Sequence, residues 1–75
     1  MNSVEANKMI HKSGNNIFFS PNFHTLLNLQ RVDKMVQKEN KILVTMSGNE
    51  CHTFFFNSES DVRLIMITLR DALSK

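Results

Sequence analysis

From Lys41 to Phe56 apolar and polar residues alternate with the two-residue period of a β-strand, with one interruption at Gly48-Asn49; from Ser58 to Leu73 the period lengthens to that of an α-helix. Taken as the two central residues of a primed hairpin turn, Gly48-Asn49 sets Ser47 opposite Glu50, Met46 opposite Cys51, Val44 opposite Thr53 and Ile42 opposite Phe55. One face then carries Ile42, Val44, Met46, Cys51, Thr53 and Phe55, and the other Leu43, Thr45, His52, Phe54 and Phe56. Both faces are rich in apolar residues, whereas a sheet covered on one side keeps polar residues on the other. The helix repeats this surplus. Ser58 is a good N-cap with Asp61 three residues on, and Glu59 and Asp61 suit the positive end of the helix dipole. At 100° per residue, Val62, Ile65, Met66, Leu69, Ala72 and Leu73 form the stripe that should cover a sheet, while Leu64 and Ile67 point largely the other way.

Upstream the pattern is weaker. Residues 1–16 read as an irregular or partly helical arm, in which Val4, Met9 and Ile10 can line a short helix starting near Ser3 before a loop at Ser13-Gly14-Asn15-Asn16. Ile17-Phe18-Phe19 is a short β-prone run stopped by Ser20-Pro21-Asn22, because proline has no amide to give a ladder. Between Asn22 and Lys38 two periods compete. Phe23, Leu27 and Leu29 fall on odd positions and suit a strand from about Thr25 to Leu29, while Phe23, Leu26, Leu27, Val32 and Val36 sit at spacings a helix accepts. Asn28 and Asp33 are poor interior helix residues, which favours a strand to Leu29, a bend near Gln30-Arg31, a second strand from about Val32 to Lys38 and a polar turn at Glu39-Asn40. The expected fold class is α+β: one domain holding a small antiparallel β-meander of three to five strands across residues 17–56, with the helix of residues 58–73 packed on one face.

Size makes the surplus apolar surface meaningful. A chain of 75 residues has a large surface for its core, and domains this small commonly add disulfides, a metal or a second subunit. Cys51 is the one cysteine, so no intrachain disulfide forms, and His11, His24, Cys51 and His52 show no metal-ligand spacing. Oligomerisation is the support that remains. The formal charge of +2 resides before residue 41 and is too small to imply a nucleic-acid partner by itself. The longest apolar run, Leu64 to Ile67, falls far short of the ~20 residues of a membrane span, and the polar N-terminus lacks a signal-peptide core. These features place the protein, as an expectation, in the cytoplasm of a bacterium or of a host cell, with no membrane partner.

Candidate chemistry is sparse. Contiguous exposed apolar patches usually mark interfaces, and on this reading Phe54, Phe56, Leu64 and Ile67 form one, rimmed by Arg63 and Arg70. The competing possibility is that the N-terminal arm folds back over the uncovered face. Cys51 beside His52 suggests an activated thiol, but neighbouring strand residues point to opposite faces, so Cys51 reads as a small core residue. His11 and His24 read as solvated loop residues. The Phe54-Phe55-Phe56 run with His52, Lys41, Arg63 and Arg70 can instead form a stacking surface with a cationic edge, as single-strand nucleic-acid binders use. Asp33, Glu39, Glu50, Glu59, Asp61 and Asp71 fall mostly in turns and at helix ends, and Gly14 and Gly48 make no phosphate loop. No enzyme activity and no cofactor are expected.

Leu26-Leu27-Asn28-Leu29-Gln30-Arg31-Val32, then Lys41-Ile42-Leu43-Val44, Gly48, Phe54-Phe55-Phe56 and Ser58-Glu59-Ser60-Asp61, together resemble short uncharacterised bacterial and phage proteins. In these a strand ends in an Asn-containing bend and a valine, two hairpin strands follow, and a Ser/Glu-led helix closes the pattern. The likeness covers roughly residues 25 to 73 and brings no site residue with it. It implies the same meander and helix, and a phage or mobile-element origin. The resulting expectation is a small non-enzymatic binding or regulatory protein that forms a homodimer or docks on a larger protein; the alternative is a nucleic-acid-binding module using the Phe/Arg surface.

Overall fold

The alternating segment folds as a hairpin, and a helix and further strands form before it. The computed structural model describes residues 1–22 and 24–74. In chain order they form α1 (Ser3–Lys8), β1 (Ile10–Ser13), β2 (Asn16–Phe19), β3 (Leu27–Asn28), a 3-10 turn (Leu29–Arg31), β4 (Val32–Lys38), β5 (Lys41–Met46), β6 (Glu50–Phe55) and α2 (Glu59–Leu73). The fold is α+β. Its strands make two antiparallel three-stranded sheets, β1-β2-β3 and β4-β5-β6, in place of the single meander that the pattern suggests.

The extra sheet comes from the N-terminal arm, whose local chemistry is stronger than its hydrophobic pattern. The Asn2 side chain caps α1 by accepting from the Glu5 N–H at 3.0 Å, and Glu5 and Lys8 lie at the ends that the helix dipole favours. Ser13-Gly14-Asn15-Asn16 is more than a loop. Ser13 pairs with Asn16 across a two-residue connection in which Gly14 has φ +61°, a conformation that costs glycine least. The Ser20 N–H donates to the Met9 carbonyl at 2.7 Å, tying the end of β2 back to the end of α1. Ala6, Met9 and Phe19 are thereby buried in the same cluster as Ile42, Val44 and Ile65.

The ambiguous segment before β4 settles as strand, turn and strand. Asn28, as its poor helix propensity suggests, ends β3 and caps the 3-10 turn by accepting from the Gln30 N–H at 3.0 Å. Phe23, which took part in both competing patterns, lies outside the described residues. In β4 a bulge at Asp33 lets Val32 pair with Met46 and Lys34 with Thr45, so Val32 and Met35 both lean on the core although three residues apart. The Glu39-Asn40 turn forms as expected, with Glu39 in the left-handed region at φ 55°.

The β5–β6 register differs from the two-residue reading by one position. Ser47 does not pair with Glu50. Its N–H donates to the Arg31 carbonyl at 2.8 Å and its hydroxyl to the same oxygen at 3.1 Å, so the loop becomes Ser47-Gly48-Asn49, with φ +87° at Gly48 and +67° at Asn49. Met46 then faces Glu50, Val44 faces His52 and Ile42 faces Phe54. A slip of one residue turns every side chain of a strand over. Phe54 and Phe56 therefore pack against the core and Phe55 lies outside, the reverse of the expected arrangement.

Helix α2 follows its sequence closely. The Ser58 hydroxyl caps it by accepting from the Asp61 N–H at 3.2 Å, and Val62, Ile65 and Leu69 are buried in the cluster that also holds Ile42, Val44 and Met46. Met66 and Ala72 are half-buried, whereas Leu73 leaves the expected stripe and is exposed. Asn40 fastens the helix entry to the sheet: its carbonyl accepts from the Phe56 N–H at 2.8 Å and its side-chain amide donates to the Phe56 carbonyl at 3.0 Å.

Candidate interaction surfaces

The residues expected to form one interface divide between two environments. Phe54 and Phe56 are half-buried on the covered side of β4-β5-β6, held there by the Ser47 register. Leu64 is also half-buried and packs against the core. Arg63, Ile67 and Arg70 remain on the outer side of α2, Ile67 with 55% of its surface exposed. Arg63 donates to Glu59 at 2.8 Å, one helical turn back. An exposed i,i+4 pair of this kind contributes about 0.3–0.5 kcal/mol, so it does little to hold Arg63 away from a partner.

Between α1, β1 and α2 runs an open groove of about 470 Å³. Ile10, Leu64, Ile67 and Ala72 supply its apolar lining, and Lys12 and Asp71 supply charge. The N-terminal arm thus packs beside α2 and does not fold over the outer face of the second sheet, the alternative placement that the sequence allowed. Two smaller depressions lie elsewhere on the surface. One of about 290 Å³ lies between Met35, Met66, Leu69 and Leu73 at the C-terminal end of α2; another, of about 340 Å³, lies at the seam of the two sheets near Leu26, Arg31 and His52. His52 stacks on Phe54, with centroids 6.1 Å apart and planes 11° apart, and its Nε2 lies 3.3 Å from the Glu50 carboxylate.

The outer face of β4-β5-β6 collects residues that sequence reasoning assigned elsewhere. Register places Lys38, Lys41 and Phe55 in one row across the three strands, Val36, Leu43 and Thr53 in the next, and Lys34, Thr45 and Cys51 in the third. Phe55, expected in the core, is 71% exposed, and the Lys41 Nζ lies 5.9 Å from its ring centroid. Cys51, also expected in the core, is exposed, and its thiol lies 4.0 Å from the Thr45 hydroxyl, on the opposite face from His52. The Phe/Arg surface of the alternative reading is consequently not one surface. Phe55 faces away from α2, the helix that carries Arg63 and Arg70. The visible signal for the lysines was their position on either side of the Glu39-Asn40 turn, which makes Lys38 and Lys41 direct cross-strand neighbours.

Among the described residues no group of three or more His, Cys, Asp or Glu side chains is placed to hold a metal ion, and no helix is long and apolar enough to cross a membrane. No family model, curated protein or solved structure matches this chain.

Proposed function

We propose that this is a small non-enzymatic binding or regulatory protein that associates through the outer side of α2, as a homodimer or by docking on a larger protein. The observation that carries the reading is Ile67, an isoleucine left 55% exposed in mid-helix, beside Leu64 and over the groove lined by Ile10. Burying the exposed half of this side chain against a partner contributes about 1–1.5 kcal/mol, and Arg63 and Arg70 flank it as a polar rim of the kind interfaces carry. Phe54 and Phe56 take no part in this version, since they serve the core. The resemblance over residues 25 to 73 supports a phage or mobile-element origin, and the short apolar runs and polar N-terminus support action in the cytoplasm of a bacterial or host cell.

Solution molar mass by light scattering across a dilution series tests the proposal, using the wild type, Ile67→Glu and Leu64→Glu/Ile67→Glu. The expected result is a two-chain mass that falls on dilution and a one-chain mass for Ile67→Glu at every concentration. Ile67→Glu is the decisive variant, because Leu64 also packs against the core. A dimer that persists in Ile67→Glu moves the interface off α2. A monomeric wild type removes self-association and leaves docking on another protein. The second reading, nucleic-acid binding, has its support on the other side of the second sheet.

A further inference from the structure

The outer face of β4-β5-β6 is basic, with an aromatic ring at one corner, and its local chemistry runs against the stability of the free protein. Lys38 and Lys41 are directly opposed across two strands, and like charges in that position destabilise a sheet. Phe55 occupies the third strand of the same row with 71% of its surface in solvent, the most exposed large hydrophobic residue among those described. Lys34 adds a third ammonium two rows away, about 13 Å along β4 at the usual rise per residue. Among the described residues no carboxylate lies within ion-pair distance of Lys34, Lys38 or Lys41. The nearest acids in sequence are Asp33, in the bulge, and Glu39, in the turn.

We propose that this face binds single-stranded nucleic acid, with Phe55 as the platform for one base and Lys38, Lys41 and Lys34 on the phosphates. Charge complementarity selects an anionic partner. The aromatic ring distinguishes among anions, because a solvent-facing Phe beside ammonium groups matches the base and the phosphate of one nucleotide together. Only an unpaired base can leave its stack and lie on the ring, which favours a single strand over a duplex. The face lies across the sheet from α2, so the inference is independent of association through Ile67.

Fluorescence anisotropy with labelled oligothymidylate and oligouridylate, titrated with the full chain between 50 and 200 mM salt, tests it. Three lysine–phosphate contacts predict a slope of log K against log salt of about −2 for a single strand. Phe55→Ala should weaken binding by roughly five- to a hundredfold, the range that base–aromatic stacking supplies, and the exposed position leaves the fold intact. Lys38→Gln/Lys41→Gln should weaken binding and bring the slope to about −0.7, while Lys8→Gln, the loss of one charge on α1, should leave the affinity unchanged. The proposal is overturned by no binding at 50 mM salt, by a Phe55→Ala variant with wild-type affinity, or by equal weakening in Lys8→Gln. It is overturned equally if a glutamate-rich peptide displaces the oligonucleotide at matching concentration, since the face would then read negative charge without bases.

Discussion

The two faces of β4-β5-β6 are made by the same three strands, yet they have opposite fates. On one, Ile42, Val44 and Met46 disappear into the core shared with α2 and the N-terminal elements; on the other, one residue away along each strand, Val36 and Phe55 are exposed and Leu43 is half-buried, among three lysines. Hydrophobicity alone does not separate them, as Phe54 and Phe55 demonstrate. What separates them is the cover that α2 and the N-terminal elements provide and the register that decides which side chains that cover meets. A strand's apolar residues become core only where another element lies over them.

The largest expected effect tests the covered side. Leu69→Ala or Ile42→Ala removes a side chain that is 2% or 0% exposed, respectively, and should cost about 2–5 kcal/mol, enough to unfold most of a domain this small. Chemical denaturation measures it, and an unchanged midpoint for either variant would remove α2 from its place over the sheet. A sharper comparison sets Phe54→Ala against Phe55→Ala. The first should cost roughly 2 kcal/mol for a half-buried ring, and the second should stay within about 0.5 kcal/mol. A reversal of the two would restore the two-residue turn at Gly48-Asn49. The smallest effect belongs to Ser47→Ala, which deletes the hydroxyl bond to the Arg31 carbonyl but keeps the backbone bond. About 1 kcal/mol should be lost with no change of register, readable as a lower denaturation midpoint with unaltered cross-strand amide signals.

Those same residues show how much of the molecule was legible beforehand. The limits of β4, the interior face of β5, the Ser58 cap and the buried side of α2 all follow from periodicity and capping within a few residues. The face of β6 does not, because it depends on a carbonyl at Arg31, 16 residues from Ser47. Local turn statistics carry no trace of so distant a partner. The first sheet was obscured for a different reason. His11, Lys12 and Ser13 are exposed edge residues with no apolar alternation, and their strand is held by backbone pairing to Ile17 and Phe18. Of the candidate surfaces, Ile67 was visible from its helical angle alone, whereas Phe55 became a surface residue only through the shift at Ser47.

The pair of bonds between Asn40 and Phe56 bears on how the molecule assembles. When the β4–β5 turn closes on Phe56, the chain entering α2 is anchored at the edge of its sheet with only Asn57 and Ser58 left before the helix begins. Docking the helix then closes a short loop, and the entropy lost grows only with the logarithm of that length. The β4–β5 and β5–β6 pairings of this half are local in sequence, a property that goes with rapid folding. Residues 32–73 thus hold two hairpins and a helix joined by short connections, and the shared core together with the Ser47–Arg31 bonds fastens them to the N-terminal elements.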